Sequence, residues 1–323
     1  MKNRVHYLDT ARALCMLWII GVWHIGAYSS SSFVKSNIYT NPITVGVLAT
    51  FTFISGKFLG ATILNIKEVA GFYLRRLRRV YPLFLISCIS LYLLPIIFDG
   101  ARVYISDINQ LCLTITGLAC FVSPMPATIW YFCMILLFYL ITPIITICKN
   151  LSGRVISSIL LYVVLLFTYI YGETEERVIL YFPIYCLGLL CYNRENLWVE
   201  KFRYKGFVVG VVGVVVSSWL IVRVGENPFA NLLPALTWGI VIIELSKLLT
   251  TYNSGILETI AYTSMCGYLF HRQYFEIIYV TFGRVQLFIA DCIMLPLFLI
   301  GCLGIQKVYD NILIYLTKRK ETN

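Results

Sequence analysis

Charged side chains are scarce in this chain. Lys, Arg, Asp and Glu make up 13% of its 323 residues, about half of the share found in soluble domains. Hydrophobic residues make up 59%, and the mean hydropathy is +0.80. These values exclude a soluble globular protein and indicate a polytopic protein of the lipid bilayer. The predicted spans leave no room for a separate soluble domain, so we expect one domain over residues 1–323.

Acidic residues are fewer than basic ones, 16 against 26, and the net charge is +10. A basic balance can indicate nucleic-acid binding, but in so hydrophobic a chain it indicates cytoplasmic loops rich in Lys and Arg. We therefore expect no nucleic-acid partner. The eleven cysteines show no CxxC spacing and no histidine at ligand spacing. We predict that they are packing residues and that there is no metal site.

Apolar runs long enough to cross a bilayer recur along the whole chain. A crossing helix needs about 20 apolar residues. The first run lacks a small-residue cleavage site, so we interpret it as a retained span. The sequence predicts an all-α integral membrane protein, a bundle of ten transmembrane helices. The predicted spans are 10–28, 43–65, 80–98, 128–148, 155–172, 178–193, 206–223, 229–248, 258–280 and 286–307.

An eleventh apolar stretch, residues 108–122, is ambiguous, and the positive-inside rule decides how it is interpreted. If it does not cross and the N-terminus is inside, 18 of the 26 Lys and Arg residues lie in cytoplasmic loops and 5 lie outside. If it crosses, the basic clusters at 149–154 and 194–205 move outside. We therefore predict a re-entrant or interfacial element at 108–122, with both termini in the cytoplasm.

Histidine occurs only three times in the chain. His24 lies near the end of the first apolar run, which begins after Asp9 and Arg12. A helix rises about 1.5 Å per residue, so Arg12 and His24 are roughly 18 Å apart along its axis. An ionisable residue at that depth is a functional-site candidate. The alternative is that His24 only caps the outer end of the helix or bonds a neighbouring helix.

Four arginines occur within five residues just before the third span: Arg75, Arg76, Arg78 and Arg79. Arginine binds phosphate groups through paired hydrogen bonds, and one helical turn places Arg76 and Arg79 on the same face. A phosphate-rich cytosolic ligand is one interpretation. A topology anchor or a patch for anionic lipid head groups is the other.

Polar residues also occur inside two other predicted spans. We expect Lys57 to lie in the middle of the second span, facing the bundle interior and paired with a carboxylate or a polar ligand. His271 and Arg272 are adjacent in the ninth span and indicate an interior polar cavity, although a purely structural His271 is the alternative. We expect helix–helix hydrogen bonds for the acids near spans, which are Glu244, Glu276 and Asp291.

Five short motifs in a fixed order resemble the membrane acyltransferase-3 family. They extend from residue 7 to residue 271, about four-fifths of the chain, and the ordered set is more specific than any one of them. The motifs are Tyr7-Leu8-Asp9-x-x-Arg12 leading to His24, Ser55-Gly56, Arg76-x-x-Arg79-Val80-Tyr81-Pro82, Ile129-Trp130-Tyr131 and Tyr268-x-x-His271.

The resemblance implies an enzyme of the bacterial inner (plasma) membrane that acylates hydroxyl groups. The donor would be acetyl-CoA or another acyl-CoA, and the acceptor would be a surface carbohydrate or a lipid-linked glycan. His24 would be the catalytic base, either deprotonating the acceptor directly or carrying a transient acyl group. Arg12 and Asp9 would position the donor or orient the helix.

The resemblance also implies roles for the other polar residues. The four arginines before the third span would hold the nucleotide phosphates of the donor. Lys57, Trp130, His271 and Arg272 are candidates for substrate binding. Of these, Lys57 or Arg272 would stabilise the oxyanion formed during transfer.

The chain departs from the family pattern at two places. The family usually has ten residues between the basic residue and the histidine, whereas eleven lie between Arg12 and His24. In an ideal helix this places the two side chains about 120° apart instead of about 20°. Either Arg12 reaches around the helix, or a bulge near Gly21 resets the phase. Lys57 stands where the family usually has an aromatic or apolar residue, which puts the substrate pocket in doubt.

The main alternative function is a transporter or flippase for an anionic or lipid-linked sugar, which would also need intramembrane charges. Against it, the sequence shows no inverted repeat and no pair of broken helices. A non-enzymatic membrane subunit is a third possibility, and the intramembrane His and Arg residues argue against it. Acyl-CoA turnover by the purified protein would separate these functions.

Overall fold

The computed structural model describes residues 6–28, 40–60, 62, 65–122, 125–192, 203–225, 227–250, 255–286 and 289–321. These residues are helical apart from short connections, and there is no β-strand among them. The α-helices are α1 (His6–Leu17), α2 (Thr40–Gly60), α3 (Val69–Ile97), α4 (Ile108–Thr116), α5 (Trp130–Thr146), α6 (Leu151–Ile170), α7 (Glu176–Leu190), α8 (Arg203–Val224), α9 (Leu232–Thr250), α10 (Gly255–Phe282) and α11 (Leu295–Glu321).

Seven helical segments in the described residues are long and apolar enough to cross a membrane. Three further helices lie at predicted spans but outside these seven: α5 with 17 residues, α7 with 15 and α10 with 28. An all-helical membrane protein is thus confirmed, whereas the number of ten crossings stays a prediction. The seven segments are His6–Ala27, Thr40–Gly60, Ile66–Ile97, Leu151–Ile170, Lys205–Val224, Leu232–Thr250 and Cys292–Leu316.

The first helix and the tenth run side by side in the same direction. His6 bonds Glu258 near their beginnings, and His24 bonds His271 further along both. The prediction of ten crossings requires this direction, since one more crossing at 108–122 would reverse α10. We name two ends of the bundle after their residues: the histidine end holds His24, and the arginine end holds Arg75–Arg79.

The ambiguous stretch 108–122 forms only the nine-residue α4 and a short 3-10 turn, Leu118–Cys120. The side chain of Asp107 caps the start of α4 by accepting a hydrogen bond from the Gln110 backbone N–H at 2.8 Å. Gly117 ends the helix with a φ of +77°. Nine residues rise about 13 Å, less than half of a hydrocarbon core of about 30 Å, so α4 is too short to cross.

Glycines bring α2 and α7 into backbone contact. A Cβ atom on Gly56 would lie 2.2 Å from the carbonyl oxygen of Tyr185, and one on Gly188 would lie 2.2 Å from that of Phe53. Gly60 meets the same helix one turn later. Small residues four apart are typical of helix pairs that pack closely in membranes. The Ser55-Gly56 motif thus includes a packing position.

The helices differ in how much of their surface the bundle covers. In their most apolar windows, 56% of residues are buried in the segment containing α1 and 67% in α2, against 17% in α6 and in α8. An apolar helix that is exposed to this degree faces lipid. The polar groups of a functional site therefore belong on the central helices, which include α1 and α10.

Candidate active site

The α-helix α1 continues as a π-helix over Trp18–His24, with Gly21 at its centre. The π-helical hydrogen-bond pattern extends to Ile25, whose backbone N–H donates to the carbonyl of Ile20, five residues earlier. A π turn holds one residue more than an α turn, so it absorbs the additional residue after Arg12. The predicted bulge near Gly21 is confirmed. His24 faces the bundle interior and is 8% exposed.

His24 contacts the second buried histidine directly. Its Nδ1 lies 2.5 Å from Nε2 of His271, which is fully buried. The two rings are parallel within 7°, and their centroids are 4.5 Å apart. Atoms in face-to-face rings stay about 3.5 Å apart, so rings this close must meet edge to edge. The two imidazoles form a coplanar pair, which we call the histidine pair.

The backbone of α10 fixes which nitrogens of this pair carry protons. Nδ1 of His271 lies 2.8 Å from the carbonyl oxygen of Tyr268 and 3.2 Å from that of Gly267. A carbonyl only accepts, so Nδ1–H of His271 donates, and in a neutral ring its Nε2 is then an acceptor. His24 Nδ1–H donates to that Nε2. This assignment, which follows from the hydrogen-bond network, leaves Nε2 of His24 with a free lone pair.

A chain of hydrogen bonds continues from Arg272 at the histidine end. Its Nη1 donates to the hydroxyl of Tyr28 at 3.3 Å, and the hydroxyls of Tyr28 and Tyr104 are 2.6 Å apart. Tyr104 donates to Oε2 of the fully buried Glu276 at 2.8 Å. Burial raises the pKa of Tyr104, so its hydroxyl keeps the proton that it donates. The direction of donation thus runs from Arg272 to Glu276.

Arg272 is held from a second side by the connection that precedes α5. Its Nε donates to Oγ1 of Thr128 at 2.9 Å. Thr128 is 4% exposed and has a φ of +77°. The guanidinium group therefore bridges two segments of chain that meet at the histidine end.

Asp9 and Arg12, predicted as catalytic, lie far from the histidine pair. Arg12 donates to Oδ1 of Asp9 at 3.4 Å and to Oγ of Ser264 at 2.8 Å, at the opposite end of α1. About 18 Å of helix separates them from His24. Their side chains join the beginnings of α1 and α10, as the predicted role in orienting the helix requires, and a catalytic role for Asp9 and Arg12 stays a prediction. The suggestion that Arg12 reaches around the helix is wrong.

Lys57 is buried as predicted, but it lies in the last turn of α2 and not mid-span. Its Nζ donates to the carbonyl of Cys191 at 3.3 Å. Trp18, in the π-helix, bonds Thr44 of α2, and Lys57 lies thirteen residues further, about 20 Å towards the arginine end. Lys57 is therefore too far from His24 to stabilise an oxyanion there.

Arg154, which sequence reasoning counted only as a loop charge, is a buried cation beside Lys57. It is 2% exposed, and its Nη1 donates to Gly60 while its Nε donates to Cys148, each at 2.9 Å. These carbonyls lie at the ends of α2 and α5, where the helix dipole favours a positive charge. No feature of the sequence marked this convergence of helix ends.

The four arginines before the predicted third span lie inside α3, which begins earlier than expected. Arg75, Arg78 and Arg79 are exposed. Arg76 is half-buried, and its guanidinium carbon lies 5.8 Å from the Phe72 ring and 5.9 Å from the Tyr139 ring. Arg76 therefore turns towards the bundle, whereas its three neighbours face outwards.

Trp130 begins α5 at the histidine end but does not touch the histidine pair. The guanidinium of Arg177 lies 4.6 Å from its ring. Its neighbour Tyr131 contacts Tyr268, which contacts His271, with ring centroids 5.4 and 5.7 Å apart. Two aromatic rings therefore separate Trp130 from the pair.

Among the residues that the structure describes, Glu276 and Glu244 do not make the expected helix–helix hydrogen bonds to a neighbouring span. Glu276 bonds Tyr104 and the backbone N–H of Arg102, both in the connection between α3 and α4. Glu244 accepts a hydrogen bond from Lys247 on its own helix. The side chain of Asp291 lies outside the described residues.

Tyr28, Tyr104 and Thr128 are site residues that sequence reasoning missed. Tyr28 follows His24 by four residues, so helical spacing could have indicated it. Tyr104 and Thr128 belong to connections, whose positions no periodicity predicts. All eleven cysteines are free, and the described residues contain no cluster of three or more His, Cys, Asp or Glu that could hold a metal ion.

Comparison with known proteins agrees with the motifs. Residues 5–307 match a family model described as an acyltransferase domain. Neither the curated proteins nor the solved structures gave a match. Because the matched region covers nearly the whole chain and contains all five motifs, this protein belongs to the acyltransferase-3 family of membrane acyltransferases.

Proposed function

We propose that this protein transfers an acyl group, most often acetyl, from cytoplasmic acyl-CoA to a hydroxyl of an exoplasmic carbohydrate or glycolipid. Membership of an acyltransferase family supports acyl transfer as the reaction. The distribution of Lys and Arg supports ten crossings of the inner membrane, with both termini in the cytoplasm. The arginine end then faces the cytoplasm, and the histidine end faces outwards.

The arginine cluster is where the donor nucleotide would bind. Its exposed guanidinium groups suit phosphates, and the half-buried Arg76 points from the cluster towards the bundle. Ser87 of α3 bonds the carbonyl of Leu269, beside His271. Eleven residues, about 16 Å of helix, therefore separate Arg76 from the level of the histidine pair. An extended pantetheine arm suits that separation.

His24 is the proposed general base. Its Nε2 accepts the proton of the acceptor hydroxyl, and the hydroxyl oxygen bonds to the thioester carbonyl carbon. The carbon–sulfur bond then breaks, and the CoA thiolate takes the proton from Nε2. Transfer through an acyl-histidine would use the same lone pair as a nucleophile.

Arg272 is the proposed group that stabilises negative charge on the thioester oxygen. It is adjacent to His271 in sequence and bonds Tyr28, one helical turn beyond His24. Preorganised cations and N–H donors at such a position stabilise a tetrahedral oxyanion. The geometry favours Arg272 over Lys57 for this role, because Lys57 lies near the arginine end.

The observation that carries the proposal is the hydrogen bond from His24 to His271. A histidine that only joined two helices would need no more than one hydrogen-bond partner, at one of its ring nitrogens. Here the partner is oriented by the backbone carbonyl of Tyr268, and the remaining nitrogen of His24 is left as a proton acceptor. An orienting acceptor of this kind holds the imidazole tautomer that a general base requires.

The test is turnover of acetyl-CoA by the purified protein in lipid vesicles, combined with mass spectrometry of surface glycans from cells with and without the protein. We expect release of free CoA and an acyl group on the glycans that depends on the protein. A transporter or flippase would move its substrate without consuming acyl-CoA. Absence of turnover with glycans that remain unchanged would overturn the proposal.

A further inference from the structure

Thr128 has a backbone conformation that, among the described residues, is otherwise found only at glycines. Its φ is +77°, and no other non-glycine residue in the described part of the chain has a positive φ. For a β-branched residue such a φ is a steric outlier, and outliers of this kind concentrate at functional sites. The described glycines with positive φ are Gly100, Gly117, Gly172, Gly225 and Gly283.

The surroundings of Thr128 differ from those of these glycines. A Cβ atom added to any of the five would meet nothing within 4 Å, so they lie in open turns. Thr128 is buried, and its Oγ1 accepts the hydrogen bond from Nε of Arg272. Glycine would relieve the backbone strain at residue 128, but it would remove the atom that holds Arg272.

Arg272 needs this contact if its guanidinium group is to point in one direction. Nη1 is tied to Tyr28, and the hydroxyl of Tyr28 is held through Tyr104 by Glu276. Thr128 binds Nε, on another edge of the same planar group. Two contacts on different edges fix both the position and the rotation of the plane, as a preorganised charge requires.

We propose that Thr128 is a positioning residue that holds Arg272 in the orientation that stabilises the oxyanion, and that the strained backbone is retained for this purpose. This inference rests on the proposed function, because it assigns a task to Arg272 in acyl transfer. It adds a residue from the connection before α5 to the two proposed reacting groups, His24 of the π-helix and Arg272 of α10.

Four variants separate the hydroxyl group from the backbone strain. Thr128→Gly removes both, and Thr128→Val removes the hydroxyl but keeps the β-branched side chain. Thr128→Ser keeps the hydroxyl, and Thr128→Asn supplies a side-chain oxygen on a residue type that tolerates positive φ. Each is purified in the same lipid, and its melting temperature, kcat and KM for acetyl-CoA are measured beside the parent.

We expect Thr128→Gly to melt above the parent while its kcat falls about 10–100-fold, since small misplacements of a catalytic group cost rate. KM for acetyl-CoA should stay near the parent value, because the donor nucleotide binds at the other end. Thr128→Val should show a similar fall in kcat without a rise in melting temperature. Thr128→Ser and Thr128→Asn should recover most of the rate. In a protein that already carries Arg272→Gln, Thr128→Gly should reduce kcat no further.

Each outcome decides between the inference and the proposed function. A parent without acetyl-CoA turnover, together with surface glycans that are the same with and without the protein, overturns both. An active parent with an equal kcat in Thr128→Gly overturns only the positioning role. A Thr128→Gly variant that loses stability, together with additive losses in the double variant, shows that the hydroxyl group supports the fold and not Arg272.

Discussion

His24 and His271 are 247 positions apart in the chain, yet one hydrogen bond of 2.5 Å joins their imidazole rings edge to edge. The donor and the acceptor of this bond are defined, because the carbonyl of Tyr268 fixes the proton on Nδ1 of His271 and leaves its Nε2 as the acceptor. His24 is consequently the donor within the pair and an acceptor towards anything that approaches its other edge.

His24→Ala should abolish acyl transfer and leave acyl-CoA binding intact. Removal of a general base typically costs about 10²–10⁴ in rate, and the donor would be held by arginines at the other end of the bundle. The matched control is His6→Ala, because His6 is exposed and bonds Glu258 far from the pair. Initial rates of CoA release and equilibrium acyl-CoA binding measure the two effects. Parent-like transfer by His24→Ala would remove it as the base.

His271→Ala should slow transfer although His271 meets no substrate in the proposed reaction. Without the acceptor at Nε2, His24 is free to take the other tautomer, and loss of an orienting partner costs up to about 10⁴ in serine proteases. His271→Gln supplies an oxygen near the position of Nε2 and should restore part of the rate. The kcat values of the two variants give the comparison. Equal rates in the alanine variant and the parent would contradict the orienting role.

Replacing both Arg76 and Arg79 by Ala should weaken acyl-CoA binding while the protein still inserts into membranes. Loss of two charge-assisted phosphate contacts costs about 3–6 kcal/mol if both are made. The control is the pair Arg223→Ala and Arg284→Ala, which removes the same charge from exposed residues on the predicted outer side. Binding isotherms with CoA measure the effect. Unchanged affinity would assign the cluster to topology or lipid contact.

Reporter fusions should place residues 150 and 200 in the cytoplasm and residue 174 outside. This pattern follows from ten crossings in which α4 does not cross, and from the excess of Lys and Arg in the cytoplasmic loops. A periplasmic signal at residue 150 would show that 108–122 crosses and that every later loop is reversed.

Gly56→Ala should destabilise the bundle, whereas Gly301→Ala should not. The added Cβ at Gly56 would overlap the Tyr185 carbonyl, while Gly301 has nothing within 4 Å. Overpacking costs about 1–3 kcal/mol, and an exposed helical glycine gains up to about 1 kcal/mol on change to alanine. Thermal unfolding in detergent compares the two variants. Similar melting temperatures would mean that α2 and α7 separate without cost.

The apolar runs and the distribution of charge were sufficient to predict the order of the helices and most of their positions, although α3 begins eleven residues before the predicted third span. The interval between Arg12 and His24 even indicated the bulge at Gly21. The polar residues were harder to assign, since depth within a bundle depends on where each helix begins. For this reason Lys57, which was predicted to lie in the middle of its span, lies in the last turn of α2. Asp9 and Arg12 share a short motif with His24, but the distance between two residues along a helix axis increases with the number of residues between them.

The contacts of Thr128 and Arg154 had no signal in the sequence. Each depends on segments that are distant in the chain and meet only in the fold. A positive φ at a threonine cannot be inferred from residue type, because the propensity of threonine favours extended backbone. Arg154 looks like any loop cation until the ends of α2 and α5 converge on it.

The π-helix at Trp18–His24 also gives this stretch room for one residue more than an α-helical turn holds. Eleven residues lie between Arg12 and His24, one more than in the family motif that this stretch resembles. The wide π turn accommodates that residue within a single turn of helix. Deleting Gly21 would restore the interval and allow an unbroken α-helix, with Tyr28 and everything after it unmoved. The length of the first helix is therefore free to change by one residue at this turn, while the histidine keeps its partner.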